Sequence, residues 1–234
     1  MQRQHAARGV RLLAASAACL LAVLPVEPAT SARQASSAVV RGRVAIGIPV
    51  ASRRPSAAYA RIVPRAALAP ASELRHVVVY LKDAPPRPVT PVRAVIRQIN
   101  ETFVPRVVAV PVGSTVEFPN DDPFYHNVFS LSRAKTFNLG RYPQGRTAGE
   151  RFDRPGIVKV FCDIHSHMTA TVLVFNHPWF AVPDEDGRFE LTDVPPGTRE
   201  ITAWHERLGD TTEPVRVEIG RTAAIDFVLP VPEP

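Results

Sequence analysis

The chain has 234 residues, with 28 Lys or Arg against 22 Asp or Glu and a net charge of +6. This length suits one large domain or two small ones, and basic residues without interleaved aromatics exclude a nucleic-acid-binding class. Pro (24) and Gly (12) separate short runs rich in Val, Ile, Phe and Thr, and no long window shows helical periodicity. The composition therefore predicts an all-β fold built from sandwiches.

Residues 1–32 have the layout of a secretory signal peptide. Arg3, Arg8 and Arg11 precede an apolar run, which small residues and Pro28 follow. The run is short for a membrane span, so we predict a cleaved signal, with an uncleaved anchor as the alternative. The mature protein would then be periplasmic or otherwise exported, without a stable membrane span. Cleavage removes three Arg and one Glu, which leaves 25 basic and 21 acidic residues, a balance of +4.

The chain has 2 Cys, and Cys19 lies in the predicted signal. Cys162 is therefore left alone in the mature chain, where it cannot form an internal disulfide. A lone Cys in an oxidising compartment is either reactive or occupied. A metal ligand and a small buried apolar residue are the two interpretations.

Apolar patterns before residue 92 predict two strands, at 38–46 and 76–82. Residues 47–73, rich in Pro, Ala and Arg, predict an irregular excursion between them. The proline cluster at 85–88 ends the second strand, because proline lacks a ladder donor. The arginines of this segment form either a solvated basic face or a docking patch for an acidic partner.

Strands at 95–99, 106–112 and 115–118 are predicted next, and they lead to His126. Residues 131–150 carry no strong motif, and we expect them to wrap around the sandwich. Two further apolar runs, at 156–161 and 169–175, are predicted to form neighbouring strands.

A tight loop between those last two strands holds Cys162, His165 and Met168. A thiolate, an imidazole and a thioether suit copper better than magnesium or calcium. A fourth ligand must come from elsewhere in the chain, and His126 is the best candidate. Two His and one Cys with a weak axial Met form the blue-copper site of electron-transfer proteins.

The spacing Cys162-x2-His165-x2-Met168, with His126-Asn127-Val128 upstream, resembles the cupredoxin family over about residues 93–176, and its loop length is most like that of amicyanin. The resemblance implies a Greek-key β-sandwich with one mononuclear type 1 copper. It also implies that Asn127 is an outer hydrogen-bonding residue tying the two ligand loops together, with an ordinary turn residue as the alternative. The implied copper ligands are His126, Cys162, His165 and Met168.

The resemblance also bears on docking and on catalysis. In cupredoxins electrons leave through the second loop His, here His165, so Phe124 and Pro123 are candidates for an apolar docking surface. Multicopper oxidases and copper nitrite reductases have His beside the Cys, whereas Phe161 and Asp163 flank Cys162. We therefore predict that the chain is not an enzyme and that its partner is a redox protein.

The remaining histidines are not expected to bind the copper. We expect His167 to be exposed, because a further strong ligand would spoil a trigonal site. His76, His177 and His205 have no metal-ligand spacing and are interpreted as structural or surface residues.

The run DGRFELTDVPPGTREITAWH within residues 177–234 resembles the carboxypeptidase regulatory-like, transthyretin-like β-sandwich. Its strands are few for a sandwich, so we expect the strands of residues 33–92 to complete it. The cupredoxin-like domain, 93–176, would then be inserted; a tandem with an extended N-terminal arm is the alternative. The whole architecture resembles plastocyanin-like methylamine utilisation proteins.

The predicted function is that of an exported type 1 copper protein carrying single electrons between redox partners. A copper carrier or sensor module without a main electron-transfer role is the alternative. A structural surface protein whose regulatory-like domain binds a partner is a third possibility.

Overall fold

The computed structural model describes residues 38–47 and 71–231. Within this part the all-β prediction is confirmed, since it contains 18 strands and one helix of four residues, Ala71–Leu74 (α1). The predicted signal peptide, and residues 48–70 of the predicted excursion, lie outside the described residues. The strands are β1 Val39–Ile46, β2 Val77–Leu81, β3 Arg93–Val95, β4 Arg97–Ile99, β5 Thr102–Val104, β6 Val107–Pro111, β7 Ser114–Pro119, β8 His126–Ser132, β9 Lys135–Tyr142, β10 Thr147–Phe152, β11 Gly156–Phe161, β12 Thr169–Phe175, β13 Phe180–Ala181, β14 Arg188–Leu191, β15 Gly197–His205, β16 Gly209–Val217, β17 Thr222–Ala224 and β18 Phe227–Leu229.

Strands β3 to β12 form the first sandwich. A five-stranded sheet, β6-β12-β11-β8-β9, packs on a three-stranded sheet, β10-β7-β3, and β4 and β5 form a separate hairpin. Strand β7 buries every second residue, as a strand covering a core must. Its Phe118 packs with Phe103 and Phe152, which are all fully buried. Each such ring contributes roughly 1.5–3 kcal/mol through burial, so these phenylalanines account for much of the stability of this core.

The expectation that residues 131–150 only wrap around the sandwich is wrong. They contribute β9, an edge strand paired with β8, and most of β10, which pairs with β7. Strand β9 alternates partly buried and exposed residues, with Phe137 and Leu139 turned toward the core. Its Lys, Asn, Gly and Arg are disfavoured in strands and conceal this alternation in the sequence.

The second sandwich combines strands from both ends of the described chain. One sheet has the order β14-β1-β17, with β18 also on β1, and the other has the order β13-β2-β15-β16. Strand β1 pairs with β14 (Val40 opposite Leu191), and β2 pairs with β15 (Leu81 opposite Ile201). Both strands that precede residue 92 are therefore paired with strands that follow residue 177.

The two sandwiches meet along an apolar seam. Val78 and Trp204 of the second sandwich cluster with Val107, Leu173 and Phe175 of the first, and all five are buried. The chain passes from one sandwich to the other twice. The two crossing segments lie side by side, since the backbone N–H of residue 87 donates to the carbonyl oxygen of residue 176 at 2.9 Å.

One carboxylate links the sandwiches beside this seam. Glu206 accepts hydrogen bonds from Lys159 Nζ at 2.6 Å and Thr171 Oγ1 at 3.0 Å, both on the first sandwich. Burial alone would raise the pKa of Glu206, but these two donors and the Arg106 guanidinium hold it below its ordinary value. The carboxylate is therefore charged at neutral pH.

We expect Gly42→Ala to destabilise the protein by about 1–3 kcal/mol, because overpacking at a tight contact costs this much. A Cβ at Gly42 would lie 1.6 Å from the carbonyl oxygen of Ile225, where β1 changes its partner from β17 to β18. Urea unfolding measures the effect. Gly47→Ala is the control, since a Cβ there meets nothing within 4 Å. Equal stability of the two variants would contradict the prediction.

Candidate metal centre

Two neighbouring strands bring the predicted ligands together. His126 is the first residue of β8, Cys162 follows the end of β11, and Phe161 of β11 lies opposite Phe129 of β8. The loop from β11 to β12 then turns back on itself, because the backbone N–H of Met168 donates to the carbonyl of His165 at 3.0 Å. The sheet thus sets one histidine beside the loop that carries the other three residues.

The donor atoms converge on a common point. His126 Nδ1 lies 3.0 Å from His165 Nδ1 and 4.0 Å from Cys162 Sγ, and the three ligand atoms lie within 4.8 Å of one another. Two nitrogens bound to one ion at about 2.0–2.1 Å in tetrahedral geometry are about 3.3 Å apart. The separation of the imidazoles therefore fits ligands that share one ion.

The centre is open on one side. His126, Cys162 and Met168 are buried, and Met168 belongs to the same apolar cluster as Cys162. His165 is only partly buried. A thiolate, two imidazoles and a buried thioether form a soft donor set that fits copper.

Asp122, which was not predicted from the sequence, contacts the His126 ring at Nε2, the nitrogen that does not face the other proposed ligands. Its carboxylate is buried and lies 2.9 Å from His126 Nε2. It also accepts the backbone N–H groups of Asn100 at 2.6 Å and Glu101 at 2.8 Å. Burial would raise the pKa of Asp122, but these backbone donors and the His126 ring hold it below the ordinary value.

This carboxylate decides which imidazole nitrogen faces the other ligands. A charged Asp122 can only accept a hydrogen bond, so His126 Nε2 carries the proton. The lone pair is then on Nδ1, the atom that points at His165 and Cys162. A carboxylate behind a histidine ligand fixes its tautomer and raises its basicity in metal sites.

Asn127 contacts the ligand loop through its backbone and strand β9 through its side chain. Its backbone N–H lies 3.5 Å from Cys162 Sγ, but its side chain donates to Asn138 Oδ1 on β9 at 2.8 Å rather than to the ligand loop. Strand β9 reaches that loop through another pair, since Arg141 contacts Asp163 at 3.1 Å. The edge strand β9 therefore connects the two ligand segments.

A buried tyrosine closes the core beneath the centre. Tyr142 donates its hydroxyl to the carbonyl of Phe118 at 2.8 Å and accepts from Gln98 Nε2 at 2.8 Å. Burial raises the pKa of Tyr142, and a charge on Cys162 raises it further. The phenol thus remains neutral at physiological pH.

The two proposed docking residues lie on the surface of the same region. Pro123 and Phe124 are exposed, and they line a surface cleft together with His167. The neighbouring Tyr125 and Ile164 are also exposed apolar side chains. Large apolar side chains that cluster on a surface are typical of contact sites for other molecules.

Of the remaining histidines, His76 and His205 gather around Glu73, at 3.5 Å and 3.2 Å from its Oε2. His205 Nδ1 accepts the backbone N–H groups of Arg207 and Leu208, so its proton lies on Nε2 and points at the carboxylate. The lone pair of His205 is therefore on Nδ1 and faces away from Glu73 and His76, so it cannot bind an ion that lies between these residues. The hydrogen bond from His205 and the ion pair with Arg207 account for the Glu73 carboxylate, whereas His177 is a buried ring stacked on Trp179.

No family model and no curated protein matches the chain. Solved structures similar to this chain include the following three. The Cu-containing nitrite reductase of Thermus scotoductus is 24% identical over 41% of this chain, with a TM-score of 0.35, and the match spans 25% of that reductase. A purple cupredoxin from Nitrosopumilus maritimus is 26% identical over 35% of this chain and 99% of its own, with a TM-score of 0.33. Amicyanin from Paracoccus versutus is 19% identical over 42% and 97%, with a TM-score of 0.34.

Each of these matches covers less than half of this chain. Across residues 38–47 and 71–231, no helix has the length and apolar character needed to cross a membrane.

Proposed function

We propose that this chain is an exported type 1 copper protein that carries single electrons between protein partners and catalyses no reaction itself. One observation carries the proposal: the buried thiol of Cys162 and the Nδ1 atoms of His126 and His165 converge within 4.8 Å. Met168, buried in the same cluster, would supply a weak thioether donor to such a centre. Copper bound here would supply one-electron redox chemistry.

The surrounding residues favour a rigid ligand set. Asp122 holds the His126 ring, and the backbone N–H of Asn127 reaches the thiol. Both belong to the segment around the start of β8, which pairs with β9 and β11. Ligands held in this way change position little when the charge of the centre changes, which favours fast electron exchange.

The partly buried His165 edge is the proposed point of electron exit. It is the ligand nearest the surface, and exposed Phe124 and Pro123 lie in the same region. A small apolar surface suits a redox partner protein that binds briefly, with a total interface below about 1,200 Å². Nucleic acid is not a proposed partner.

We also propose that a cupredoxin-like domain, residues 93–176, is inserted into a regulatory-like sandwich made from residues 33–92 and 177–234. The pairing of β1 with β14 and of β2 with β15 supports this arrangement. Residues 1–32 would direct export and then be removed. The second sandwich would act as a binding or spacing module.

Addition of Cu(II) to the purified mature chain tests the proposed function. We expect an intense blue colour from thiolate-to-copper charge transfer and a narrow copper hyperfine splitting in the electron paramagnetic resonance (EPR) spectrum. Cys162→Ser is the control, because it keeps the size of the side chain and removes the thiolate; the blue band should disappear. A wild-type protein that stays colourless with copper and binds only zinc would overturn the proposal.

A further inference from the structure

The turn between β4 and β5 has an unusual backbone. Asn100 and Glu101 both adopt left-handed conformations, with φ of 53° and 52°. Consecutive positive φ values are typical of the two-residue turns that favour Asn followed by Gly. Asn at the first position fits this preference. Glu at the second position does not, because its Cβ disfavours the left-handed region.

The turn is held by the carboxylate that also holds the metal centre. Asp122 accepts the backbone N–H groups of Asn100 and Glu101 and lies 2.9 Å from His126 Nε2. Glu101 is therefore fixed beside the centre. A strained residue that persists where glycine would fit better points to a use for its side chain.

The Glu101 side chain meets His167 across the surface cleft of about 640 Å³ described above. Glu101 Oε2 and His167 Nε2 are 3.5 Å apart, and both side chains are substantially exposed, at 41% and 60%. This distance is too long for a good hydrogen bond. An oxygen and a nitrogen that share one ion are about 3.4 Å apart in tetrahedral geometry and about 2.9 Å apart as neighbours in the tetragonal geometry of Cu²⁺, so a small rotation of these two exposed side chains brings both atoms to one ion.

The pair also lies next to the buried centre. The ring centroids of His167 and His165 are 6.0 Å apart, and His165 is the partly exposed ligand. An ion at Glu101 and His167 would therefore be within reach of a ligand of the buried centre. A carboxylate oxygen and an imidazole nitrogen suit Cu²⁺ or Zn²⁺, whereas the thiolate and thioether of the buried centre are softer ligands.

We propose that Glu101 and His167 form a second, solvent-exposed metal site that captures Cu²⁺ and passes it to the centre of His126, Cys162 and His165. Water would complete its coordination. The binding stands on the geometry of the pair, and the transfer rests on the proposed function of the buried centre. On transfer, the ion exchanges the Glu101 and His167 ligands for the buried ones, and the thiol proton of Cys162 leaves to solvent.

Titration with Cu²⁺ tests this site, because the two centres give different signals. After the blue band saturates, a second equivalent should bind and give an EPR signal with a wide hyperfine splitting and no added blue colour. Glu101→Gln and His167→Gln should each weaken this second binding at least tenfold and slow the appearance of the blue band in the apoprotein. Glu185→Gln, which removes an exposed carboxylate elsewhere, is the control and should change neither.

Glu101→Gly separates a metal site from a structural ion pair. Glycine relieves the left-handed strain, so we expect a higher melting temperature together with loss of the second signal. A lower melting temperature, or a second signal that survives in Glu101→Gln and His167→Gln, would overturn the proposal. Binding of one equivalent only would also overturn it. Absence of the blue band, by contrast, counts against the proposed function, and the second signal can still be measured in that case.

Discussion

We expect Asp122→Asn to lower the affinity of the centre for Cu(I) by about 10- to 100-fold, the usual effect of removing a hydrogen-bonding partner behind a metal ligand. The carboxylate accepts three hydrogen bonds, from His126 and from two backbone N–H groups. An amide replaces one of the two carboxylate oxygens with an NH2 group and removes the charge, so at least one donor loses its acceptor and the proton of His126 is held less firmly on Nε2. Competition with a chromogenic Cu(I) chelator measures the affinity.

Asp121→Asn is the matched control for this variant. Asp121 is the preceding residue, and its carboxylate pairs with Arg97 at 2.7 Å. We expect its affinity for Cu(I) to stay within about twofold of the wild type, because pairs of this exposure contribute little. Equal affinities for both variants, with the Asp122→Asn protein folded by circular dichroism, would contradict the role of Asp122 in orienting His126.

We expect Phe124→Glu to slow electron self-exchange at least tenfold while the blue spectrum stays nearly unchanged. Phe124 is 50% exposed and is not a proposed ligand, so the change acts on the contact between molecules rather than on the centre. A buried aromatic anchor contributes more than about 1–2 kcal/mol to an interface, and a carboxylate adds desolvation and repulsion between like charges. Line broadening in nuclear magnetic resonance spectra of mixed Cu(I) and Cu(II) protein measures the rate.

Two further variants show whether the slower exchange comes from the surface around Phe124 or from the centre itself. Leu131→Glu places the same charge on another exposed apolar residue of β8, five residues from His126 and thus about 16 Å along the strand, and it should leave the rate unchanged. Met168→Leu should shift the reduction potential, because it alters the axial ligand. If Phe124→Glu and Leu131→Glu exchange electrons equally fast, electrons do not leave beside Phe124.

The ligand set could be proposed from the sequence because most of it is local. Cys162, His165 and Met168 lie within seven residues on one loop, and a tight loop between strands keeps such residues together. His126 could be added because the strand predicted at 115–118 leads to it and because His126-Asn127-Val128 resembles the cupredoxin pattern. Adjacent strands in a sheet then explain the convergence of residues 36 positions apart.

Asp122 could not be predicted in the same way. Its role depends on the backbone of Asn100 and Glu101, which lies more than twenty residues earlier and must first fold into a left-handed turn. No periodicity in the sequence relates these segments. The pairing of His167 with Glu101 is hidden for the same reason, because it joins the two loops only in the folded chain.

The edge strand β9 was missed for a different physical reason. Only Phe137 and Leu139 reach toward the core from its middle, and Thr136 and Asn138 beside them are polar. A half-exposed edge strand needs few apolar residues, so its pattern is weak although it pairs with β8 on both sides of a bulge between Asn127 and Phe129.

The two chain crossings at the seam bear on how such a molecule can arise and be altered. Because residues 87 and 176 are joined by a backbone hydrogen bond, the intervening chain leaves and returns at one place. A single excision between these points would leave ends that a short peptide could rejoin, and β1 and β2 would keep their partners. Gain or loss of the whole intervening segment would thus require one genetic event and no rearrangement of strand order, which is the condition under which domain insertions are tolerated.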